Sequence, residues 1–377
     1  MKLKQADVKY CGVNEEKIKT SHPILNPEVA RYHHFYITER TNIYKRKEIL
    51  KLPQPWTNDE VFLTYRFTNT RRELDTQTKW LISHIANNEL LTLKEKIYNC
   101  MLFRTFNKSK TSELYGDVII DIENININYY KDIFINYEKE NPNYVFFTAA
   151  FMTGGLKRSS AFIKPPYIRR EVDIITPNSE KIKMDYSHAR YLANKDSNYK
   201  IQDWEDNIPT RMIRFIKRYV EEGVVNDIMN AKSPKEIHDR LTQMIGFGDF
   251  LAYQVFVDMT YIKEFKFSEN EFTSAGIGCK AGLDLLFDDN DNLTYEELIF
   301  WLRDNIEEYW DKNITHVNFN ELYDFLPKHD RCLNVMMLEN SLCELKKFTN
   351  TKRKVMNPKI KYKPSSSRDT QKLNESW

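Results

Sequence analysis

The chain has 377 residues, long enough to bury a sizeable core in one large or two ordinary domains. Its 41% hydrophobic and 29% charged residues are the composition of a globular protein. With 56 Lys plus Arg against 54 Asp plus Glu, a globally basic nucleic-acid binder is excluded, and any basic surface must be local.

Glycine is scarce at 10 residues, which favours helices over turn-rich sheets. Over 27–50 apolar residues recur at helical intervals (Val29, Tyr32, Phe35, Tyr36, Ile43, Ile49), predicting a helix that Pro53 and Pro55 end. The next helix start is read at Trp56-Thr57-Asn58-Asp59-Glu60, with Thr57 as N-cap and Glu60 three residues on. Residues 76–86 and 93–106 read as amphipathic helices, 124–137 is ambiguous, and 144–152 is a buried helix or strand closed by Gly154-Gly155. The polar stretch 165–203, with Pro165, Pro166 and Pro177, reads as an insertion holding a short hairpin. Further helices are expected over 210–222, 233–243, 250–263, 295–312, 319–325 and 333–349.

Five widely spaced cysteines without a CxxC pair indicate neither a zinc ribbon nor a disulfide framework. The start MKLKQADVKY lacks the apolar segment of a secretory signal, and no apolar run nears the roughly 20 residues that span a bilayer. A soluble protein of a reducing compartment is expected. Asp288-Asp289-Asn290-Asp291-Asn292 resembles the start of a calcium loop, but Leu293 and Ile299 stand where glycine and the bidentate Glu belong. It reads instead as a turn before a helix capped by Thr294 with Glu297. No HExxH pattern and no G-x-x-x-x-G-K-[ST] occurs, so neither a catalytic zinc nor a P-loop kinase is supported.

Four segments carry candidate chemistry. Gly246-Phe247-Gly248 lies between apolar helical runs, where a tight turn would aim the unpaired N–H groups of the next helix at a phosphate. An ordinary helix–helix turn uses the same residues. On that next helix Asp258 shares a face with Leu251, Gln254, Val255 and Ile262, a costly setting for a carboxylate unless it is paired or functional. Ser274 to Gly282 holds Gly276, Gly278 and Lys280 and could expose backbone N–H groups to an anion, or be a plain loop. Tyr65 to Asp75 packs Arg66, Arg71 and Arg72 around Phe67 and Asn69, residue types that bind phosphates and read base edges, or build a salt-bridged turn. Arg104 sits among apolar residues, which calls for a buried acid as its partner.

In this order, Pro55–Asp59 with Tyr65–Asp75, Phe103–Asn107, the glycine hairpin leading to Asp258, and Glu339-Asn340-Ser341-Leu342-Cys343-Glu344 with Lys346 and Lys347 resemble one family. It is the alpha-glutamyl/putrescinyl thymine pyrophosphorylase group, the helical domain associated with 5-hydroxymethyluracil DNA kinases, and the likeness covers about 32–348. The resemblance implies a helical, glycosylase-like fold that takes a flipped modified pyrimidine from DNA. Two departures stand out. Asp249 follows the hairpin where the family often has proline, and Ala275 to Lys280 replaces a Gly-Pro-Gly followed by arginine.

The expected architecture is therefore mainly α, a helix-hairpin-helix DNA glycosylase-like helical fold with a small irregular insertion. Its parts are an N-terminal extension (1–26), a helical domain (27–349) with the insertion (165–203) and the helix-hairpin-helix (240–262), and a basic disordered tail (350–377). Asp258 is the expected acid–base or charge-stabilising group. Gly246, Gly248, Gly276, Gly278 and Lys280 are the expected backbone contacts. Arg66, Asn69, Arg71, Arg72, Asp75 and Arg104 are the expected base or phosphate contacts, with Asn69 as base reader. No metal or cofactor is expected. The expected partners are double-stranded DNA containing modified pyrimidines and an amine or amino-acid co-substrate, without a membrane. The compartment is the cytoplasm of a bacterial or virus-infected bacterial cell, or the nucleus in a eukaryote. Transfer of an amine or amino acid to an activated 5-hydroxymethyluracil is preferred. Excision of a modified base and inactive binding of modified DNA are the alternatives.

Overall fold

The computed structural model describes residues 9–141, 171–185, 196, 198, 200–201, 208–244 and 247–355, and among these the chain is mainly helical. Gly246, the segment 144–152 with Gly154-Gly155, and the tail from residue 356 lie outside the described residues.

Helix α1 (Glu15–Thr20) and strand β1 (Ile24–Leu25) precede α2 (Pro27–Tyr44), whose N-cap Asn26 accepts from the Val29 N–H at 3.1 Å, with Pro27 in the first turn. Helix α2 widens into a π-type turn over Lys45–Ile49. Helix α3 (Glu60–Thr64) is capped by Asp59 and not by Thr57. The Asp59 carboxylate reaches two orphan donors, Val61 and Phe62, at 3.0 and 3.1 Å, while the Thr57 hydroxyl accepts only from Asp59. Helix α4 (Thr76–Leu81) continues over Ile82–Ala86, and α5 (Leu93–Phe106) opens on a Thr92–Glu95 capping box and ends at left-handed Asn107. After α6 (Ser109–Glu113), the ambiguous region 124–137 is settled as helix α7 (Ile127–Glu140), capped by Asn126.

Within the expected insertion, β2 (Glu171–Ile175) and β3 (Lys181–Asp185) form an antiparallel hairpin, and β4 (Lys200–Ile201) pairs with the other edge of β2. Helices α8 (Ile208–Glu221), α9 (Val224–Asn230), α10 (Pro234–Thr242) and α11 (Asp249–Thr260) follow. The stretch 274–282 is not an open loop. Gly276 is the N-cap of α12 (Ile277–Leu286), and Gly278 and Lys280 belong to the helix itself. Strand β5 (Phe287–Asp289) pairs with β1, an antiparallel contact no local pattern announced. Helix α13 (Tyr295–Asn313) carries the expected Thr294–Glu297 capping box, and α14 (Phe319–Leu322) and α15 (Val335–Lys352) complete the described chain. Helix α15 overruns the expected tail boundary at 350. Lys352 pairs with Asp59, and Arg353 pairs with Glu28 at 2.5 Å.

Where one helical domain over 27–349 is expected, the described residues gather into two compact units. Of the described residues, the first comprises those up to Lys79, Lys232–His238 and Phe265–Val355. Its core joins α2, α12, α13 and α15 through Tyr36, Leu283, Trp310, Leu342 and Phe348, and it includes Ile18 of α1, so the N-terminal extension is part of this unit. Helices α12 and α15 meet closely. A Cβ built on Gly282 would lie 2.2 Å from the Leu342 carbonyl oxygen, and one on Gly278 would lie 3.3 Å from that of Cys343. The four-residue spacing puts both glycines on one face.

The second unit comprises Trp80–Ala231 and Asp239–Glu264. Helix α5 packs on α11 with Tyr98, Met101, Phe103 and Phe106 buried. Helix α11 buries every residue from Leu251 to Thr260, as its apolar sequence implies. Helix α8 turns Met212, Ile213, Ile216 and Tyr219 inward and leaves Arg214 and Arg218 exposed.

Replacing Gly282 with Ala must push α12 and α15 apart, and overpacking of this kind costs about 1–3 kcal/mol. Gly278→Ala meets only contacts of 3.3–3.5 Å and gains helix propensity worth about 1 kcal/mol. Thermal melting should therefore fall for Gly282→Ala and stay near wild type for Gly278→Ala. Equal melting temperatures would contradict the close crossing.

Candidate functional site

The segment 65–75 runs extended into a 3₁₀ turn, Arg72–Leu74, that packs against α15. Its side chains have distinct tasks. Arg71, 2% exposed, donates to Glu73 at 2.5 Å and to the Asp330 carbonyl at 2.7 Å, and its guanidinium lies 5.3 Å from the Tyr323 ring centre. It ties two loops together. The Arg66 carbonyl accepts from Lys347 at 3.0 Å, and its side chain is half-buried. Asn69 donates its amide to Asp75 at 2.6 Å, while its backbone carbonyl accepts from Asn340 at 2.6 Å. Arg72 is 4% exposed and electrostatically coupled to both Asp75 and Glu339. Burial pushes the Asp75 carboxyl up, against the Asn69 amide and the charges of Arg40 and Arg72.

Glu339 joins this segment to α12. Only 1% exposed, it accepts from the Cys343 thiol at 3.2 Å and from the Gly276 N–H. Burial pushes its carboxyl up to about 7, opposed by those two donors and by Arg72. The Gly276 N–H expected to face a phosphate is thus engaged by Glu339, and Gly278 packs against Cys343. Lys280 is exposed, with its ammonium 5.4 Å from the Tyr295 ring centre. Three motif segments, 65–75, 276–280 and 339–347, therefore meet in the first unit around Arg72, Asp75 and Glu339.

The segment leading to Asp258 lies in the second unit, with 103–107. Arg104 is the partner of Asp258: its Nε and Nη2 donate to the two carboxylate oxygens at 2.6 and 2.5 Å, and its Nη1 donates to Asn107 at 2.7 Å. Asp258 is 0% exposed, so the guanidinium occupies both oxygens within a closed core, and acid–base work would require the pair to part. Burial, then the Asp258 charge, pushes the nearby Cys100 thiol well up. Gly248 caps α11 in an extended conformation, and a Cβ there would meet nothing within 4 Å. Packing among the described residues thus places no demand for glycine at 248. Among the described residues no cluster of His, Cys, Asp or Glu could hold a metal, and no helix is long and apolar enough to cross a membrane.

Glu339 belongs to a segment that carries the family resemblance but has no role assigned from the sequence, and Arg40 is not among the candidate site residues. A signal existed for Glu339, which shares a helix face with Val335 and Leu342, the same reasoning that marked Asp258.

Because the Glu339 carboxyl is raised from an ordinary 4.5 to about 7, the folded state holds its proton more tightly than the unfolded chain. The resulting stability is complete below about 4.5 and is lost as pH rises through about 7, a change on the order of 3 kcal/mol. Glu339→Gln cannot ionise. Its melting temperature relative to wild type should therefore rise between about pH 5 and about pH 8, and a gap that does not change with pH would contradict the titration.

Residues 27–358 match the family described as 5-hmdU DNA kinase, helical domain. The 5-hmdU DNA kinase of Bacillus phage SP10 is 22% identical over 356 residues, covering 91% of this chain and 48% of that protein. The chain thus spans about half the length of this relative. No solved structure matches it. With the match extending through both units, from α2 to beyond the end of α15, the chain belongs to the family of 5-hmdU DNA kinase helical domains.

Proposed function

We propose that the chain modifies DNA at 5-hydroxymethyluracil, replacing an activating pyrophosphate on the base methylene with an amine or amino acid. The observation that carries this reading is the meeting of three motif segments around buried Arg72, beside Asp75 and Glu339. The relative's name states a kinase, but that protein is about twice as long, and this sequence has no P-loop to cradle a nucleotide. Transfer to the base needs no nucleotide site.

In the step proposed, the amine nitrogen bonds to the methylene carbon as the carbon–oxygen bond breaks. Pyrophosphate leaves with the electron pair, and the amine gives up a proton. Developing negative charge on the leaving group calls for fixed guanidiniums. Arg72 and Arg66, carried by the segment that packs against α15, are the candidates in the first unit. Lys280, exposed one turn into α12, is a candidate contact to the DNA backbone, as are Gly248 and the start of α11. The target base must leave the stack for this carbon to be reached. Asn69 is the proposed base reader.

Excision of the base needs a carboxylate beside the sugar, and Asp258 serves that role only if it leaves Arg104. Incubating the protein with duplex DNA bearing pyrophosphorylated 5-hydroxymethyluracil and a diamine or amino acid, followed by nucleoside mass spectrometry, tests the proposal. An intact strand carrying a heavier nucleoside is expected. Alkali-labile abasic sites that vanish in a folded Asp258→Asn variant would replace it with a glycosylase, and an unchanged nucleoside profile would leave an inactive binder.

A further inference from the structure

Asn69 presents a fixed side-chain acceptor to which nothing among the described residues is bonded. The Asp75 carboxylate accepts from its side-chain amide at 2.6 Å and also from its backbone N–H. Reversing the amide would set the Asn69 oxygen against a carboxylate oxygen, so the carbonyl end is turned away from Asp75. The backbone carbonyl is already taken by Asn340. Asn69 is 8% exposed, and its Oδ1 is buried without a hydrogen-bond partner among the described residues. The neighbouring Thr68 hydroxyl is likewise buried and unbonded, while the Thr68 backbone carbonyl accepts from Tyr36 at 2.9 Å. Buried acceptors are nearly always satisfied in native folds. Here two adjacent ones are open, on the segment that also carries Arg72.

We infer that Asn69 Oδ1, locked in orientation by Asp75, reads the ring imide of the target base and makes the site selective for uracil-type over cytosine-type pyrimidines. The inference rests on the proposed reading that a modified uracil in DNA is the target. The ring N3 of a uracil carries a hydrogen and donates, which answers a fixed carbonyl. The ring N3 of a cytosine is an acceptor, so two lone pairs would face each other. The Thr68 hydroxyl can donate or accept and does not discriminate. Oδ1 is covered here, and base entry requires a neighbouring side chain to give way.

The test is equilibrium binding to duplexes holding 5-hydroxymethyluracil, 5-hydroxymethylcytosine or thymine at one position. Wild type should prefer the hydroxymethyluracil over the hydroxymethylcytosine duplex by about tenfold or more, the scale of one good base contact. Asn69→Ala should bring that ratio to about one, and Asp75→Ala, which frees the amide to rotate, should lower it. A ratio that survives in the folded variants overturns the inference. If Asn69→Ala does not fold, Asp75→Ala alone decides. A wild type that binds both hydroxymethylated duplexes equally, and above thymine, overturns the inference and leaves the proposed function standing. No preference over thymine, with the preference over hydroxymethylcytosine kept, counts against the proposed function and leaves the Asn69 reading standing, whereas equal binding of all three duplexes overturns both.

Discussion

The first unit depends on how closely α12 approaches α15. At Gly282 the two backbones leave no room for a Cβ, and Gly278, one turn earlier, continues the same bare stripe. Such an approach draws the start of α12 against α15, so that the Gly276 N–H reaches Glu339. A larger side chain at Gly282 would separate the helices and leave the Glu339 carboxyl buried without that donor. The same glycines that suggest an open anion cradle in the sequence thus act inside the protein, through packing.

Burial of charge follows from that approach. Glu339, Arg72 and Asp75 lie where water cannot solvate them fully, so each depends on its neighbours. Raised carboxyls at Glu339 and Asp75 show that desolvation outweighs the surrounding donors and guanidiniums. Groups held this way concentrate at functional sites, because the surrounding fold meets a cost that packing alone would avoid. Arg104 and Asp258 in the second unit have the opposite character: a bidentate pair, fully buried, with matching donors and acceptors. That geometry is self-sufficient.

Much of the helical layout was legible because its signals are local. Thr92 with Glu95 and Thr294 with Glu297 mark helix starts within four residues, and the apolar period fills in the rest. Arg104 announced a buried acid by its apolar neighbours, but only the fold pairs it with Asp258, 154 residues away. Gly278 and Gly282 misled because their reason for being glycine, the Leu342–Cys343 backbone, lies some sixty residues on and leaves no trace in a local window. The two-residue pairing of β1 with β5 was invisible for the same reason. Residue type alone points to Asn69, and its locked amide and open carbonyl belong to the tertiary structure.

The central claim is that the site formed where 65–75, 276–280 and 339–347 meet binds the modified base and its anionic group. Arg72 is its buried cation, and the most direct measurement is the affinity of an Arg72→Gln variant for a duplex holding pyrophosphorylated 5-hydroxymethyluracil, with wild-type folding verified by circular dichroism. Loss of a charge-assisted contact predicts binding weaker by about tenfold or more. Affinity equal to wild type in the folded variant would contradict the claim.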